Sequence, residues 1–170
     1  MKHRTMSEGL RITLKKAMTD SVAAYNAAVM LEQDHRGQAA VQFFCQRSAD
    51  DGYVPGLLKL AGMYLSGCYL RRTGGDTCLH IKDDVKAYHL ISDAAAKQDP
   101  IALYMLARCH MDGIGTQRDK SLAEYYLDQV ILSNDPMMVL ESEEMLLFGC
   151  NSAAVQKYVA GHRKHLPPAA

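Results

Sequence analysis

The chain has 170 residues with 19 Lys plus Arg and 19 Asp plus Glu, so its formal net charge is zero at pH 7. A balanced charge gives no long-range attraction to nucleic acid or to an anionic membrane surface, and we expect neither as a partner. No run of about 18 apolar residues occurs, so we expect no helix that spans a bilayer. The length suits one domain or one short array with a hydrophobic core of its own.

The first part of the chain predicts an extension and then a pair of helices. Residues 1–20 are polar and basic, and a short helix is expected from Ser7. Residues 21–33 form the first A helix and 39–49 the first B helix, where A and B denote the first and second helix of a pair. Spacings of three and four residues define the helix faces. The residues of the B helix expected to face inward are Ala40, Phe43, Phe44 and Ala49.

The clearest unit is the third pair of helices, residues 101–132. Gly113 and Gly115 end its A helix, because glycine tolerates the left-handed conformation in which helices often terminate. Asp119 is placed to cap the B helix. Each helix has one apolar stripe that it cannot cover alone, so the unit needs neighbours. The apolar positions are Ala102, Leu103, Leu106, Ala107 and His110 in the A helix and Leu122, Tyr126, Leu127, Val130 and Ile131 in the B helix.

The second unit, residues 55–97, repeats this pattern. Its B helix matches that of the third unit at a separation of 36 residues, from Ala87 to Ala123. Its A helix matches at 46 residues, from Ala61 to Ala107, so the loop between its helices carries a net insertion of ten residues. Paired helices with a period in the thirties indicate an all-α protein, an α-solenoid.

Four short motifs resemble those of a known family. They are Leu-Ala-x-x-Tyr-x-x-Gly at 60–67, Asp-x-x-Lys-Ala at 83–87, Leu-Ala-x-x-His-x-x-Gly-x-Gly at 106–115 and Ala-x-x-Tyr-Leu at 123–127. The residues and order of these motifs resemble Sel1-like repeats, which are longer-looped relatives of the tetratricopeptide repeat (TPR). The resemblance implies about three helix-turn-helix repeats in residues 21–132. His110 stands where these repeats have an aromatic residue, and we interpret it as a packed core histidine.

Residues 133–170 fit the repeat pattern poorly. Two helices are expected there, at 136–148 and about 152–164, followed by a loose tail. We interpret them as C-terminal capping helices that cover the open end of the stack.

The resemblance also implies a binding surface, because the A helices line the concave side of TPR-like stacks. This projection gives a groove of aliphatic residues and tyrosines: Val22, Tyr25, Val29 and Gln33; Leu58, Gly62, Leu65 and Ser66; Ile101, Tyr104, Arg108, Met111 and Asp112. A protein or peptide with apolar anchors would fit it. The alternative is that some of these side chains pack against the neighbouring A helix. The predicted partner-binding residues in the groove are Tyr25, Val29, Gln33, Leu58, Leu65, Tyr104, Arg108 and Asp112.

The insertion, residues 68–82, is a second candidate site. Insertions in repeat proteins map to one face and often carry recognition. Arg71 and Arg72 would pair with an acidic group or a phosphate of a partner. The alternative is a tolerated surface loop, since long surface insertions cost little stability.

The cysteines favour a reducing compartment. They are odd in number and irregular in spacing, at positions 45, 68, 78, 109 and 150. Such a pattern fits reduced thiols better than a disulfide framework. Cys68, Cys78 and His80 lack the close Cys-x-x-Cys pairing of structural zinc sites, so no metal is predicted there. A disulfide between Cys68 and Cys78 is not expected either.

The N-terminal sequence does not read as a signal peptide, because Tyr25 and Asn26 interrupt the apolar stretch 21–31 and no plausible cleavage site follows. We therefore expect a cytoplasmic protein. Export as an effector without a cleaved signal peptide stays open.

Three functional hypotheses remain. The sequence has no Gly-x-x-x-x-Gly-Lys, Gly-x-Ser-x-Gly or His-Glu-x-x-His motif, so no catalytic residue and no cofactor is predicted. The favoured hypothesis, implied by the Sel1-like resemblance, is a non-catalytic interaction module: an adaptor, chaperone or regulator of the kind found in bacterial complexes. The alternatives are a self-associating homo-oligomeric scaffold and a small metal- or thiol-dependent enzyme.

Overall fold

The computed structural model describes residues 7–34, 37–71 and 78–133. Within these ranges it contains seven helices and one β-hairpin. The bounds are α1 Glu8–Lys16, α2 Ser21–Gln33, α3 Gln38–Asp50, α4 Val54–Ser66, β1 Cys68–Arg71, β2 Cys78–Ile81, α5 Asp84–Ala95, α6 Pro100–Asp112 and α7 Lys120–Leu132. The predicted order of paired helices is confirmed, with α2, α4 and α6 as A helices and α3, α5 and α7 as B helices. The expected capping helices lie outside the described residues.

The chain divides into two compact units, Met1–Asp93 and Ala94–Ala170. In the first unit α1 packs on α2, α2 on α3, and α3 on α4. In the second unit α6 packs on α7. Neither of these units contains a described helix that is both long and apolar enough to cross a membrane.

Aspartate residues start several of the helices. Asp20 accepts hydrogen bonds from the N–H groups of the first turn of α2. Asp83 does so for α5 through Lys86 N at 2.9 Å. Asp99 and Asp119 cap α6 and α7 in the same way, at 3.0 and 2.9 Å. An aspartate at this position satisfies donors that the helix itself cannot pair, and the predicted cap at Asp119 is confirmed.

The buried face of α3 differs from the prediction. Phe43, expected to face inward, is 51% exposed, and Ala40 is only half-buried. The buried stripe consists of Val41, Phe44, Cys45, Ser48 and Ala49. At about 100° per residue, Phe43 lies about 140–160° around the helix from Val41, Cys45 and Ser48, so it points away from the core that these residues face. Val41 and Cys45 lie on the same face as Phe44 and fix which phenylalanine is inside.

The corrected face makes all three B helices equivalent. Val41, Cys45 and Ser48 of α3 occupy the positions of Ala87, Ile91 and Ala94 in α5 and of Ala123, Leu127 and Val130 in α7. All nine side chains are buried. The A helices correspond likewise, with Ala28, Ala61 and Ala107 fully buried at one position. Small residues there let paired helices approach closely.

The described residues of the insertion form two paired β-strands, whereas the sequence predicts a loop. β1 and β2 pair antiparallel, with Cys68 opposite Ile81 and Arg71 opposite Cys78, and β1 packs on α3. Both strand sequences, Cys-Tyr-Leu-Arg and Cys-Leu-His-Ile, contain residues that favour strands. The register puts Cys68 and Cys78 at opposite ends of the hairpin, three residues or about 10 Å apart. That separation exceeds the Cα–Cα reach of a disulfide.

The turn between α6 and α7 is built as predicted. Gly113 follows α6 with a φ of 74°, in the left-handed region, and its N–H donates to Cys109 O at 2.8 Å. The side chain of Arg118 then donates from Nε to Met111 O at 3.0 Å, which satisfies one of the last carbonyls of α6. His110 is 4% exposed and stacks on Tyr126 with ring centroids 5.7 Å apart. It is the packed core histidine that the sequence predicted.

Candidate functional site

The A helices of the first unit, α2 and α4, meet at two described contacts. Lys59 Nζ of α4 lies 2.7 Å from Glu32 Oε2 of α2. The ring of Tyr25, in the second turn of α2, meets the ring of Tyr53, the residue before α4, edge-on with centroids 5.8 Å apart. These contacts hold the two helices side by side. We call the solvent-facing side of α2 and α4 the α2/α4 surface.

The predicted site residues of the first unit lie on or beside this surface. Gln33 is exposed, whereas Val29, Leu58 and Leu65 are half-buried. Tyr25 is also half-buried, and its ring packs on Tyr53. Tyr25 therefore serves at least in part to join α2 to α4, as the alternative interpretation of the groove residues proposed.

The charge that α2 and α4 themselves contribute is confined to one ion pair. Glu32 and Lys59 are the only charged residues in the sequences of α2 and α4, and they neutralise each other. Neither was predicted as a site residue, and a pairing across 27 positions leaves no local signal in the sequence. The rest of the surface is aliphatic or uncharged polar, including Val22, which is 43% exposed.

In the second unit the predicted residues divide into exposed and buried. Arg108 and Asp112 of α6 are exposed, as is Ile101 at 46%. Tyr104 is only 6% exposed, so its ring belongs to the core of the unit and presents almost no surface to a partner. The A helix of this unit thus offers an aliphatic residue, a cation and an anion.

The arginine pair of the insertion is only partly placed. Arg71 ends β1, whereas Arg72 lies outside the described residues. Their predicted role in binding an acidic partner stays a prediction.

Two A helices share an exposed branched aliphatic residue at one repeat position. Val22 of α2 and Ile101 of α6 are equivalent, and their exposures of 43% and 46% are nearly the same. The equivalent residue of α4 is Pro55, in its first turn. Single exposed apolar side chains are common on protein surfaces and need no explanation. Their recurrence at an equivalent position of two repeats favours a shared role on the surface of the A helices.

The two glycines of α4 have opposite surroundings. A Cβ built on Gly56 would lie 2.7 Å from Ser48 Cβ, so only glycine fits against α3 there. A Cβ built on Gly62 would have no described atom within 4 Å beyond its own stretch of helix. A side chain at Gly62 would therefore meet open space among the described residues.

Within the part of the chain that the structure describes, two titratable groups have shifted pKa values. Burial lowers the pKa of His110 below its usual 6.5, against the opposing effects of the charge on Asp119 and a backbone hydrogen bond at Gln117. Hydrogen bonds from the backbone and side chain of Lys86 lower the pKa of Asp83. Both effects follow from helix packing and capping. The described ranges contain no cluster of three or more His, Cys, Asp or Glu arranged for a metal ion.

These helices define a helix-turn-helix repeat protein with the Sel1-like fold. The structure is similar to the crystal structure of a Sel1 repeat protein from Oxalobacter formigenes, with a TM-score of 0.63 and 20% identity over 81% of this chain and 99% of that one. It is also similar to c5321, a protective antigen of uropathogenic Escherichia coli strains with an SLR fold. That match has a TM-score of 0.69 and 16% identity over 98% of this chain and 38% of the antigen.

Both likenesses confirm the predicted fold. No family model matches the sequence, and no curated protein matches it.

Proposed function

We propose that the protein is a non-catalytic interaction module that holds a protein or peptide partner on its A helices. Helical repeat arrays present extended surfaces suited to binding other chains. The observation that carries the proposal is the recurrence of exposed aliphatic residues, Val22 and Ile101, at one position of α2 and α6. Aliphatic contacts at the centre of an interface supply much of its binding energy, and polar residues suit its rim, such as Gln33 on α2 of the first unit and, separately, Arg108 on α6 of the second.

The role we assign is that of an adaptor, chaperone or regulator in the cytoplasm. Cys45 and Cys109 are buried, and buried cysteines act as small apolar core residues. The odd number and irregular spacing of the five cysteines suit a reducing compartment. Two methionines of α6 are half-buried, Met105 and Met111. Their flexible side chains would help the binding surface adapt to partners of different shape.

A pull-down with surface variants tests the proposal. The tagged wild type captures partners from a lysate of its own source cells, and mass spectrometry identifies them. The first variant, Val22→Glu with Val29→Glu, puts two charges on α2, where an apolar partner would have to bury them at a high cost. The second, Ile101→Glu with Arg108→Ala, changes α6. We expect at least one variant to lose a partner that the wild type captures.

The matched controls change exposed aromatic residues on B helices. Phe43→Glu on α3 and Tyr125→Glu on α7 alter side chains that are 51% and 55% exposed. They introduce the same charge on a different side of each pair. Both controls should retain the partner. Capture that survives both A-helix variants but is lost with either control would place the site on the B helices and refute the proposal.

Self-association is a second candidate, favoured by those aromatic residues. Phe43 and Tyr125 occupy equivalent positions of α3 and α7, and both are more than half exposed. Apolar residues repeated on one face can pair with a second copy of the chain. Light scattering over a concentration series separates the candidates, because a mass that stays at 18.8 kDa excludes self-association. A larger mass that Phe43→Ser with Tyr125→Ser abolishes would support it.

A further inference from the structure

The charges of the chain are unevenly distributed along it. Residues 1–16 contain five Lys or Arg and one Glu, so their formal charge is +4. Residues 17–170 contain 14 Lys or Arg and 18 Asp or Glu, which gives −4. Charges in water are screened beyond about 8–10 Å at physiological salt, so a charged surface responds to the segment closest to it. The neutrality of the whole chain therefore does not describe how its basic segment meets an anionic membrane.

Helix α1, which belongs to this segment, packs on α2 through one side. Leu10 and Ala17 lie on that side and are 1% and 0% exposed. The opposite side carries an aliphatic residue among cations, all of them exposed and about 100–160° around the helix from Leu10. We call it the α1 outer face, and its residues are Arg11, Ile12, Lys15 and Lys16.

The cations of the α1 outer face are not used to stabilise the described part of the chain. Arg11, Lys15 and Lys16 form no ion pair with any described carboxylate. Glu8 is the only acidic residue of α1. Asp20, which follows the helix, caps α2 by accepting a hydrogen bond from Val22 N at 2.9 Å. The three cations are therefore available to an anionic partner.

Two exposed apolar side chains accompany these cations. Ile12 is 53% exposed, and Met18, just after the helix, is 52% exposed. A nucleic acid would contact the cations and leave both apolar side chains in water. An anionic bilayer uses both kinds of residue, because cations approach its headgroups while apolar side chains enter the boundary with the acyl chains.

We propose that the α1 outer face is a peripheral docking site for an anionic lipid surface. The helix lies along the membrane, with its cations at the level of the headgroups and its opposite side still packed on α2. Two apolar side chains provide only weak anchoring, so the electrostatic contribution decides the affinity and the attachment is reversible. The net negative charge of residues 17–170 disfavours other orientations.

Co-sedimentation with lipid vesicles tests the proposal. The full chain is mixed with vesicles of phosphatidylcholine alone, or with about 30% phosphatidylglycerol, at about 50 and about 300 mM NaCl. We expect binding to the anionic vesicles at the lower salt concentration, much weaker binding at the higher one, and none to phosphatidylcholine alone.

Two variants separate the electrostatic and apolar contributions. Lys15→Gln with Lys16→Gln should weaken binding to the anionic vesicles at least about tenfold, because each cation near such a surface contributes about fivefold. Ile12→Ser should weaken it about fivefold, since about half of an aliphatic side chain no longer enters the lipid. Binding of Ile12→Ser should keep the salt dependence of the wild type, because its charges are unchanged.

Arg108→Gln with Lys120→Gln is the matched control. Both residues are exposed, on α6 and α7, and the control removes the same charge from the chain as the double lysine variant of α1. It should bind the anionic vesicles as the wild type does. Thermal melts of all variants confirm that a loss of binding is not a loss of folding.

Several results would overturn the proposal. The wild type would fail to bind anionic vesicles at the lower salt concentration, or the control would lose as much binding as the α1 variant. A parallel measurement uses a labelled single strand of about 20 nucleotides and poly-L-glutamate. Binding to either of these without binding to vesicles would assign the α1 outer face to a nucleic acid or an acidic protein instead of a membrane.

Discussion

Ser48 of α3 and Gly56 of α4 lie in direct contact where the first pair of helices meets the second. Ser48 Oγ donates a hydrogen bond to Ser21 O of α2 at 2.8 Å, so this one buried side chain touches three helices. A Cβ on Gly56 would lie 2.7 Å from Ser48 Cβ and 3.1 Å from the Ser48 carbonyl carbon. The other repeats have Ala94 and Val130 at the position of Ser48, and Ala23 and Ala102 at that of Gly56. The contact between a buried serine, Ser48, and a glycine, Gly56, therefore occurs at this junction and not at the equivalent positions of the other repeats.

The two glycines of α4 should respond to alanine with opposite signs. Gly56→Ala forces apart a packed contact that involves backbone, which costs about 1–3 kcal/mol. Gly62→Ala enters open space and should stabilise the helix by about 0.5–1 kcal/mol. Urea denaturation of both variants gives the two free energies of unfolding. Equal effects of the two substitutions would contradict the difference in surroundings that separates them.

The helices of the array could be predicted from the sequence because their apolar residues recur at regular spacings of three and four. The side of α3 that is buried could not be predicted in this way. In α6, residues such as Leu103, Leu106 and Ala107 define one face without competition. In α3 the pair Phe43 and Phe44 supports two phases, and local hydrophobicity does not choose between them. The choice depends on contacts of α3 with α2 and α4, which lie far away in the sequence.

The exposure of each predicted site residue could not be derived from the sequence. The bounds of the A helices were predicted closely, yet Tyr104 is buried and Tyr25 packs on Tyr53, because a rotation of one residue moves a side chain by about 100° around the helix. The ion pair of Glu32 with Lys59 depends on how two helices meet in space. The β-hairpin was missed because its strands are four residues each, too short for a clear alternating pattern.

Gln98 adopts a backbone conformation that glycine favours. Its φ is 59°, and it is the non-glycine residue with a positive φ in the described ranges. The equivalent residue after α3 is Gly52, with a φ of 71°. Both N–H groups donate to the residue three positions earlier, Gln98 to Ala95 O at 2.9 Å and Gly52 to Ala49 O at 2.7 Å. The turns after α3 and α5 therefore share one backbone geometry. Glycine, which suits this geometry, is present after α3 but not after α5.

Gln98→Gly should therefore stabilise the protein. Relief of the left-handed strain exceeds the entropy cost of glycine by about 0.5–1 kcal/mol, which corresponds to a Tm rise of about 1–4 °C. Gln98→Ala keeps a Cβ and the same strain, so it serves as the control and should give no increase. A rise of the same size with alanine would show that loss of the glutamine side chain, rather than relief of the backbone, was responsible.

Asp119 should stabilise the start of α7. Its carboxylate accepts from Leu122 N at 2.9 Å, and its own N–H donates to His110 O at 2.9 Å, so it joins the start of α7 to the end of α6. Asp119→Ala removes the cap and should cost about 1 kcal/mol. Asp119→Asn retains an acceptor oxygen and should lose only a few tenths. If chemical denaturation shows the same loss for both variants, the charge and not the cap is what stabilises α7.

His110 should make the stability of the protein depend on pH. Because burial lowers its pKa in the folded state, the unfolded chain binds a proton more readily than the folded one. The contribution of the neutral imidazole is therefore complete above the unfolded pKa of about 6.5 and is lost as the pH falls through that value toward the folded pKa. Tyr64 occupies the equivalent position in α4, so His110→Tyr introduces a residue that the repeat accepts without a group that titrates in this range. Thermal melts at about pH 7.5 and about pH 5.5 should show a larger loss of Tm for the wild type than for His110→Tyr. Equal losses would mean that protonation of His110 costs the folded state nothing, and the acid sensitivity would have to come from the carboxylates that both proteins share.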